Sequence, residues 1–277
     1  MPIVAPAKIN LNLRVLGRNE ATGYHDLETW MVPVSLADEL RVVLTTDPAI
    51  TLTCSDPELD SASGNLAWKA AELFLRQTES RGGARIELHK HIPHGAGLGG
   101  GSSDAAAVLK ALNDQSGRPL DGPGLEKMAA HLGSDVPFFI RGEPAVARGR
   151  GERLESRPLH RPLDLLLIKP PFAVETAWAY REWSKKVSCP ERWTAPQIHD
   201  GIEIFNDLER PVFAKYVILA AVKEWLLERS LVAAAAMTGS GSSIFAILRD
   251  PRGAGQLAAE AKAEFGDTFW TAACRTA

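Results

Sequence analysis

Pro93-His94-Gly95-Ala96-Gly97-Leu98-Gly99-Gly100-Gly101-Ser102-Ser103-Asp104-Ala105-Ala106-Ala107 is the stretch that decides how this chain is read. Five glycines in seven positions allow turns with φ > 0 and let a ligand approach the backbone closely. Ser102, Ser103 or Asp104 is placed to cap a helix running from Ala105. Such a loop feeding a helix start is an anion site, because unpaired N–H groups and the helix dipole meet there. No lysine lies between Pro93 and Ser103, which excludes a Walker A loop. Gly95 to Gly100 does match G-x-G-x-x-G, but a dinucleotide fold needs a buried strand before it and an acid-bearing strand after the helix. Residues 84–90 alternate like a half-exposed strand, and residues 113–124 are polar and rich in glycine and proline. A nicotinamide-dependent oxidoreductase is therefore only the competing enzyme reading.

Outward from the loop, the N-terminal part starts strand-rich. Ile9, Leu11, Leu13 and Val15 alternate with Lys8, Asn10, Asn12 and Arg14, which predicts a half-buried strand with Lys8, Asn10 and Asn12 on its polar face. Shorter alternations around Val42, Leu52 and Ile86 predict an antiparallel sheet. Helical spacing appears from Leu66 to Phe74, Ser103 to Leu112 and Leu125 to Leu132. Strands followed by helices argue for α+β. A boundary is expected between Gly149 and Pro162, giving domains 1–157 and 158–277. The second domain reads as strand 163–168, helix 175–186, helix 212–229, strands 232–237 and 243–248, helix 254–265 and strand 268–274, a two-layer α/β sandwich.

The 277 residues are 45% apolar and 23% charged, the mix of a globular chain with a real core. Lys and Arg number 31 against 34 Asp and Glu, so the formal charge of −3 leaves no basic excess for general nucleic-acid binding. Cys54, Cys189 and Cys274 are too widely spaced for a disulfide framework or a metal knuckle, which suits a reducing, cytoplasmic setting. No basic n-region opens the chain, and the longest apolar run, Leu231 to Met237, is far too short to span a bilayer. His89, His91 and His94 invite a zinc reading, but solvated or loop histidines explain them better.

The glycine loop resembles the second signature of the GHMP kinases. Pro6-Ala7-Lys8-Ile9-Asn10-Leu11 is similar to their first signature, and Met237-Thr238-Gly239-Ser240-Gly241-Ser242-Ser243-Ile244-Phe245 to their third. Gly23-Tyr24-His25-Asp26-Leu27, Gly133-Ser134-Asp135-Val136-Pro137 and Asn206-Asp207-Leu208-Glu209 point to the branch of that family acting on a cytidine-diphosphate-linked methylerythritol. The resemblance implies a two-domain α+β fold, with an N-terminal domain like domain 2 of ribosomal protein S5 and a ferredoxin-like C-terminal sandwich. It implies transfer of phosphate from ATP, with Mg²⁺, to the 2-hydroxyl of that small-molecule substrate, a step toward isoprenoid precursors. A homoserine- or mevalonate-type kinase is the alternative, and a non-catalytic nucleotide-binding regulator a remoter one. No nucleic acid, membrane or obligate protein partner is expected.

Phosphoryl transfer needs alignment of the γ-phosphate with the acceptor and neutralisation of charge. The acceptor implied here is a tertiary alcohol, far from ionised at neutral pH, so a proton acceptor suits it. Asp135 is the expected base, although a cap for a helix starting at Val136 is the plainer reading. By resemblance Lys8 is its catalytic partner, and Asn10 binds substrate or Lys8. ATP is expected on Pro93, Gly95, Ala96, Gly97, Leu98, Gly99, Gly100, Gly101, Ser102 and Ser103, with Ser102 or Ser103 as a metal ligand. Tyr24 and His25 suit a cytosine, since bases are recognised by stacking and edge hydrogen bonds. Tyr180 is expected as the second aromatic, against Phe172 and Trp178. Thr238, Gly239 and Ser240 are expected to close on the phosphate and acceptor side, within a turn between two strands.

Overall fold

The computed structural model describes residues 2–20, 23–59 and 62–277. In chain order the elements begin β1 (Ile3–Arg18), β2 (His25–Thr45), β3 (Ile50–Cys54), α1 (Leu66–Gln77) and β4 (Gly83–His89). Then come α2 (Gly100–Gln115), α3 (Gly122–Ala129), α4 (Val136–Arg141), β5 (Ala145–Gly149), β6 (Arg153–Ser156) and β7 (Asp164–Lys169). The chain continues with α5 (Thr176–Trp183), α6 (Glu191–Thr194), β8 (Gln197–His199), β9 (Ile202–Asn206), α7 (Glu209–Lys215) and α8 (Val217–Leu227). It ends with β10 (Val232–Met237), β11 (Ile244–Leu248), α9 (Ala254–Phe265) and β12 (Trp270–Arg275). Two compact units result. One holds the chain up to Ala7, Leu36–Pro93 and Gly99–Glu143; the other holds Lys8–Ser35, His94–Leu98 and Pro144–Ala277.

In the first unit the latter half of β2 pairs antiparallel with β4, and β4 pairs parallel with β3. The sheet expected to be antiparallel is therefore mixed, because α1 carries the chain back between β3 and β4 as a crossover. Asn65 starts α1 by accepting a hydrogen bond from Ala67 N at 2.9 Å, and Asp121 starts α3 through Gly124 N at 2.8 Å. Helix α2 is buried almost all round from Ser103 to Leu109, and its alanines let α1 and α4 pack closely against it. It begins at Gly100, not at Ala105 as the serine and aspartate cap candidates suggested, with Gly99 as a left-handed cap at φ 74°. Ser102, Ser103 and Asp104 therefore lie within its first turns.

In the second unit β10, β11, β7 and β12 form a four-stranded antiparallel sheet. Helices α8 and α9 cover it, and Leu166, Ile168, Leu219, Leu226, Met237, Ile244, Leu257 and Phe269 share its core. The single helix expected over 212–229 is two helices, broken at Tyr216, whose φ of −109° and ψ of 70° end α7 before α8 begins. β9 runs parallel to β1 through the pairs Asn12–Phe205 and Leu13–Asn206, which brings Asn206 to the side of the first strand. β1 is not half-exposed where the motif lies: Lys8 and Asn10 are buried, and only Arg14 of the polar series is exposed. Among the described residues, no helix is long and apolar enough to cross a membrane.

Candidate active site

The second unit gathers Lys8, Asn10, Gly97 and Thr238 around the buried stretch of β1. Lys8, only 4% exposed, directs its ammonium Nζ to Asn10 Oδ1 at 2.7 Å and to the Gly97 carbonyl at 3.0 Å. Asn10 N donates to Thr238 Oγ1 at 3.0 Å, and the Thr238 hydroxyl lies 3.2 Å from Asn10 Oδ1 and 3.3 Å from the Gly97 carbonyl. Residues from the first, second and third signatures are thus hydrogen-bonded to one another. The backbone adds two ties, Lys8 N to Leu98 O at 2.9 Å and Ser243 N to Ala96 O at 3.2 Å.

Gly97 has to be glycine on two grounds. Its φ is 74°, and a Cβ there would lie 2.3 Å from the Thr238 carbonyl oxygen. Gly95 and Gly99 also have positive φ, at 61° and 74°. Gly100 does not, and its requirement is space: a Cβ would meet Ile92 Cγ2 at 3.0 Å and Lys90 Nζ at 3.3 Å.

In the first unit, α2 starts with no side-chain cap, leaving its first-turn N–H groups for an anion rather than for a serine or aspartate at the cap position. Ser103 Oγ is buried there and has no hydrogen-bond partner among the described residues. Beneath this turn lies a charge cluster that sequence reasoning missed. Lys90 Nζ bonds Asp38 Oδ2 and, at 2.7 Å, Asp104 Oδ2, while Asp38 Oδ1 accepts from His91 N and Ile92 N at 2.6 and 2.8 Å. Burial would lower the Lys90 ammonium, but the Asp104 and Asp38 carboxylates outweigh it and hold it above its ordinary value. Burial, opposed by Lys90 and reinforced by Asp38, pushes the Asp104 carboxyl up to about 7.

Asp135 stands at the cap position of α4, yet its side chain makes no capping hydrogen bond to that helix. The plainer reading of Asp135 as a helix cap therefore lacks its hydrogen bond.

The aromatic residues separate into two groups. His25 stacks on Tyr180 with ring centroids 5.5 Å apart, meets Trp183 edge-on at 5.9 Å, and has Nε2 2.8 Å from Ser184 Oγ. Burial and the nearby Arg18 hold the His25 imidazole below its ordinary pKa, favouring the neutral ring. Tyr24 is 59% exposed, with the Arg150 guanidinium 5.1 Å over its ring. Phe172 and Trp178, the competitors of Tyr180, instead pack on Tyr216 at 5.1 and 5.8 Å.

The third signature is held from behind. Asn206 Nδ2 donates to the carbonyls of Met237 and Gly239, each at 2.7 Å, and Asn206 Oδ1 accepts from Leu208 N at 2.9 Å. Glu209, fully buried, accepts from Met237 N at 2.8 Å and from Lys223 Nζ at 2.6 Å. Asp207 accepts from Val15 N at 2.8 Å. Ser240 Oγ lies 2.8 Å from Thr176 Oγ1. Asn206-Asp207-Leu208-Glu209 was visible as a motif, but its work of bracing the turn was not.

Comparison with known proteins identifies the family. Residues 65–143 match the family model for the GHMP kinases N terminal domain, and residues 194–267 that for the GHMP kinases C terminal. The chain is 42% identical to the 4-diphosphocytidyl-2-C-methyl-D-erythritol kinase of Methylacidiphilum infernorum, over 96% of this chain and 93% of that one. A crystal structure of 4-(cytidine 5'-diphospho)-2C-methyl-D-erythritol kinase superposes with a TM-score of 0.78 at 37% identity, covering all of both chains. Homoserine kinase from Cytophaga hutchinsonii, with a TM-score of 0.69 at 18% identity over 100% of this chain and 94% of that one, shares the fold. This chain belongs to the GHMP kinases, and within them to the 4-diphosphocytidyl-2-C-methyl-D-erythritol kinase family.

Proposed function

We propose that this enzyme transfers the γ-phosphate of ATP to the 2-hydroxyl of 4-diphosphocytidyl-2-C-methyl-D-erythritol, a step in the non-mevalonate route to isoprenoid precursors. The observation that carries this reading is the buried Lys8 ammonium, hydrogen-bonded to Asn10, to the carbonyl of Gly97 in the glycine loop, and through Asn10 to Thr238. It sets a fixed positive charge among the three signature segments, where a transferring phosphoryl group accumulates negative charge.

ATP lies along Pro93–Ser103, its phosphates on the first-turn N–H groups of α2. Mg²⁺, when bound with it, would neutralise phosphate charge. The buried, unpartnered Ser103 hydroxyl fits a ligand arriving at this turn, with Ser102 beside it, so these two residues would hold the ion. His25 and Tyr180, already stacked, receive the cytosine, with Tyr24 as the exposed ring that closes on it. Thr238, Gly239 and Ser240 form the wall against the acceptor. Asp135 takes the proton of the acceptor hydroxyl as oxygen attacks the γ-phosphorus.

The test is phosphate transfer from ATP to a panel of the cytidine-diphosphate methylerythritol, mevalonate and homoserine. Turnover of the cytidine compound alone is expected, and preference for either other acceptor overturns the reading. Asp135→Asn keeps size and removes basicity, so kcat should fall by ~10²–10⁴ with little change in either KM. A kcat within a few-fold of the parent would return Asp135 to a structural role.

A further inference from the structure

Thr29 lies on β2, buried, and neither the sequence motifs nor the family resemblance gives it a role. Its hydroxyl Oγ1 donates to the Asn12 carbonyl at 2.5 Å. A carbonyl oxygen carries no hydrogen, so this bond commits the Thr29 proton and leaves its lone pairs facing elsewhere. Asn10 Nδ2 donates to those lone pairs at 2.8 Å. That contact in turn settles which way the Asn10 amide points: nitrogen toward Thr29, oxygen toward Lys8 Nζ and the Thr238 hydroxyl. With the amide reversed, an NH₂ group would face the Lys8 ammonium and an amide oxygen would face lone pairs on Thr29. Both contacts would then be repulsive in a buried place.

We propose that Thr29 is a positioning residue for phosphoryl transfer, holding the Asn10 amide in the orientation that aims the Lys8 ammonium. The chain of bonds runs Asn12 carbonyl, Thr29 hydroxyl, Asn10 amide, Lys8 ammonium. Thr29 is 2% exposed and acts through Asn10. The proposal rests on the assignment of Lys8 to catalysis made above.

Thr29→Val keeps the branched shape and removes the hydroxyl, so packing is retained while the amide loses its reference. The kcat should fall by roughly 10-fold or more, the scale of a misaligned catalytic group. KM for ATP and for the cytidine substrate should stay within about two-fold. Thr29→Ser restores the hydroxyl and should recover most of the lost kcat, an outcome that a purely structural role does not require. Should the valine variant fold poorly, Thr29→Cys keeps the volume with a weak donor and should fall between serine and valine in kcat. Lys8→Met, measured alongside, separates the two assignments. If it abolishes turnover while Thr29→Val leaves kcat at the parent level, the Thr29 role alone is overturned. If both KM values rise together with the loss in kcat, Thr29 is structural and the proposal also fails. If Lys8→Met turns over normally, the Lys8 assignment falls and Thr29 falls with it.

Discussion

The two glycine-rich loops look alike on paper and are built in opposite ways. The first rises through three positive-φ glycines, Gly95, Gly97 and Gly99, into a sixteen-residue helix that begins without a side-chain cap. The second joins β10 to β11 and is braced by the protein: Thr238 N donates to Ser243 O at 3.0 Å, and Asn206 takes the carbonyls of Met237 and Gly239, while Ser243 Oγ is buried without a hydrogen-bond partner among the described residues. Ser242 Oγ donates to the Phe172 carbonyl at 2.5 Å, and Ser240 meets Thr176. An open row of donors suits a ligand that must arrive, supply charge and leave. A turn whose carbonyls and hydroxyls are mostly held by neighbouring side chains and backbone suits a fixed wall. Glycine content alone does not separate these two uses; the element each loop enters and the side chains braced against it do.

The sharpest way to break the comparison is to make the first loop unable to turn. Gly99→Val puts a β-branched residue at φ 74°, a conformation it strongly avoids, at the cap of α2. ATP affinity should weaken on the order of 100-fold, about 2.7 kcal/mol, measured by titration of a fluorescent ATP analogue. A folded variant that binds ATP as the parent does would remove the first loop from nucleotide binding.

For the second loop the corresponding change lies outside the loop. Asn206→Leu withdraws the donor from two buried carbonyls, each costing ~1–3 kcal/mol if nothing replaces it, so Tm should drop by several degrees. Because the wall loses its brace, kcat should fall about 10-fold or more, whereas ATP affinity should stay close to the parent. If ATP affinity falls as much as kcat, the two loops do not function separately. The contact of Gly97 with Thr238 would then be the reason.

Much of this division was legible in the residues, and what escaped has a physical cause. β10 and α9 run over the ranges their periodicity predicts, because local pattern and tertiary burial agree there. Tyr216 broke a helix that looked continuous, since the apolar spacing carries on through α7 into α8. The short strands β5, β6, β8 and β9 carry too few residues for a period to declare itself. Lys8, Asn10, Gly97 and Thr238 stand out through their motifs, and the structure joins them by hydrogen bonds. The partnerships of Thr29, Asp38, Lys90 and Thr176 are not legible in the sequence, because each bonds a residue remote along the chain and no local spacing records such pairs. Lys8 and Asn10 share the polar face of a strand that reads as half-buried, yet both are buried, since alternation reveals which residues share a face but not what covers it.

The least disruptive test concerns the acids behind the two loops. Glu209 backs the second loop with both oxygens satisfied, by Met237 N and Lys223. Asp104 backs the first with Oδ2 on Lys90 and Oδ1 buried without a partner among the described residues. The Asp104 carboxyl, pushed up to about 7 from 3.8, holds its proton more tightly folded than unfolded. Ionising it therefore opposes folding increasingly as pH rises through that window, and fully above it. Asp104→Asn keeps the shape and cannot ionise. Near pH 3.5, where Asp104 is protonated both folded and unfolded, the two proteins should melt at similar temperatures; by pH 8 the asparagine variant should be the more stable by a few degrees. Thermal melts across that range measure the gap directly. A gap that does not change with pH would mean that Lys90 keeps Asp104 ionised throughout. The first loop would then rest on a full ion pair.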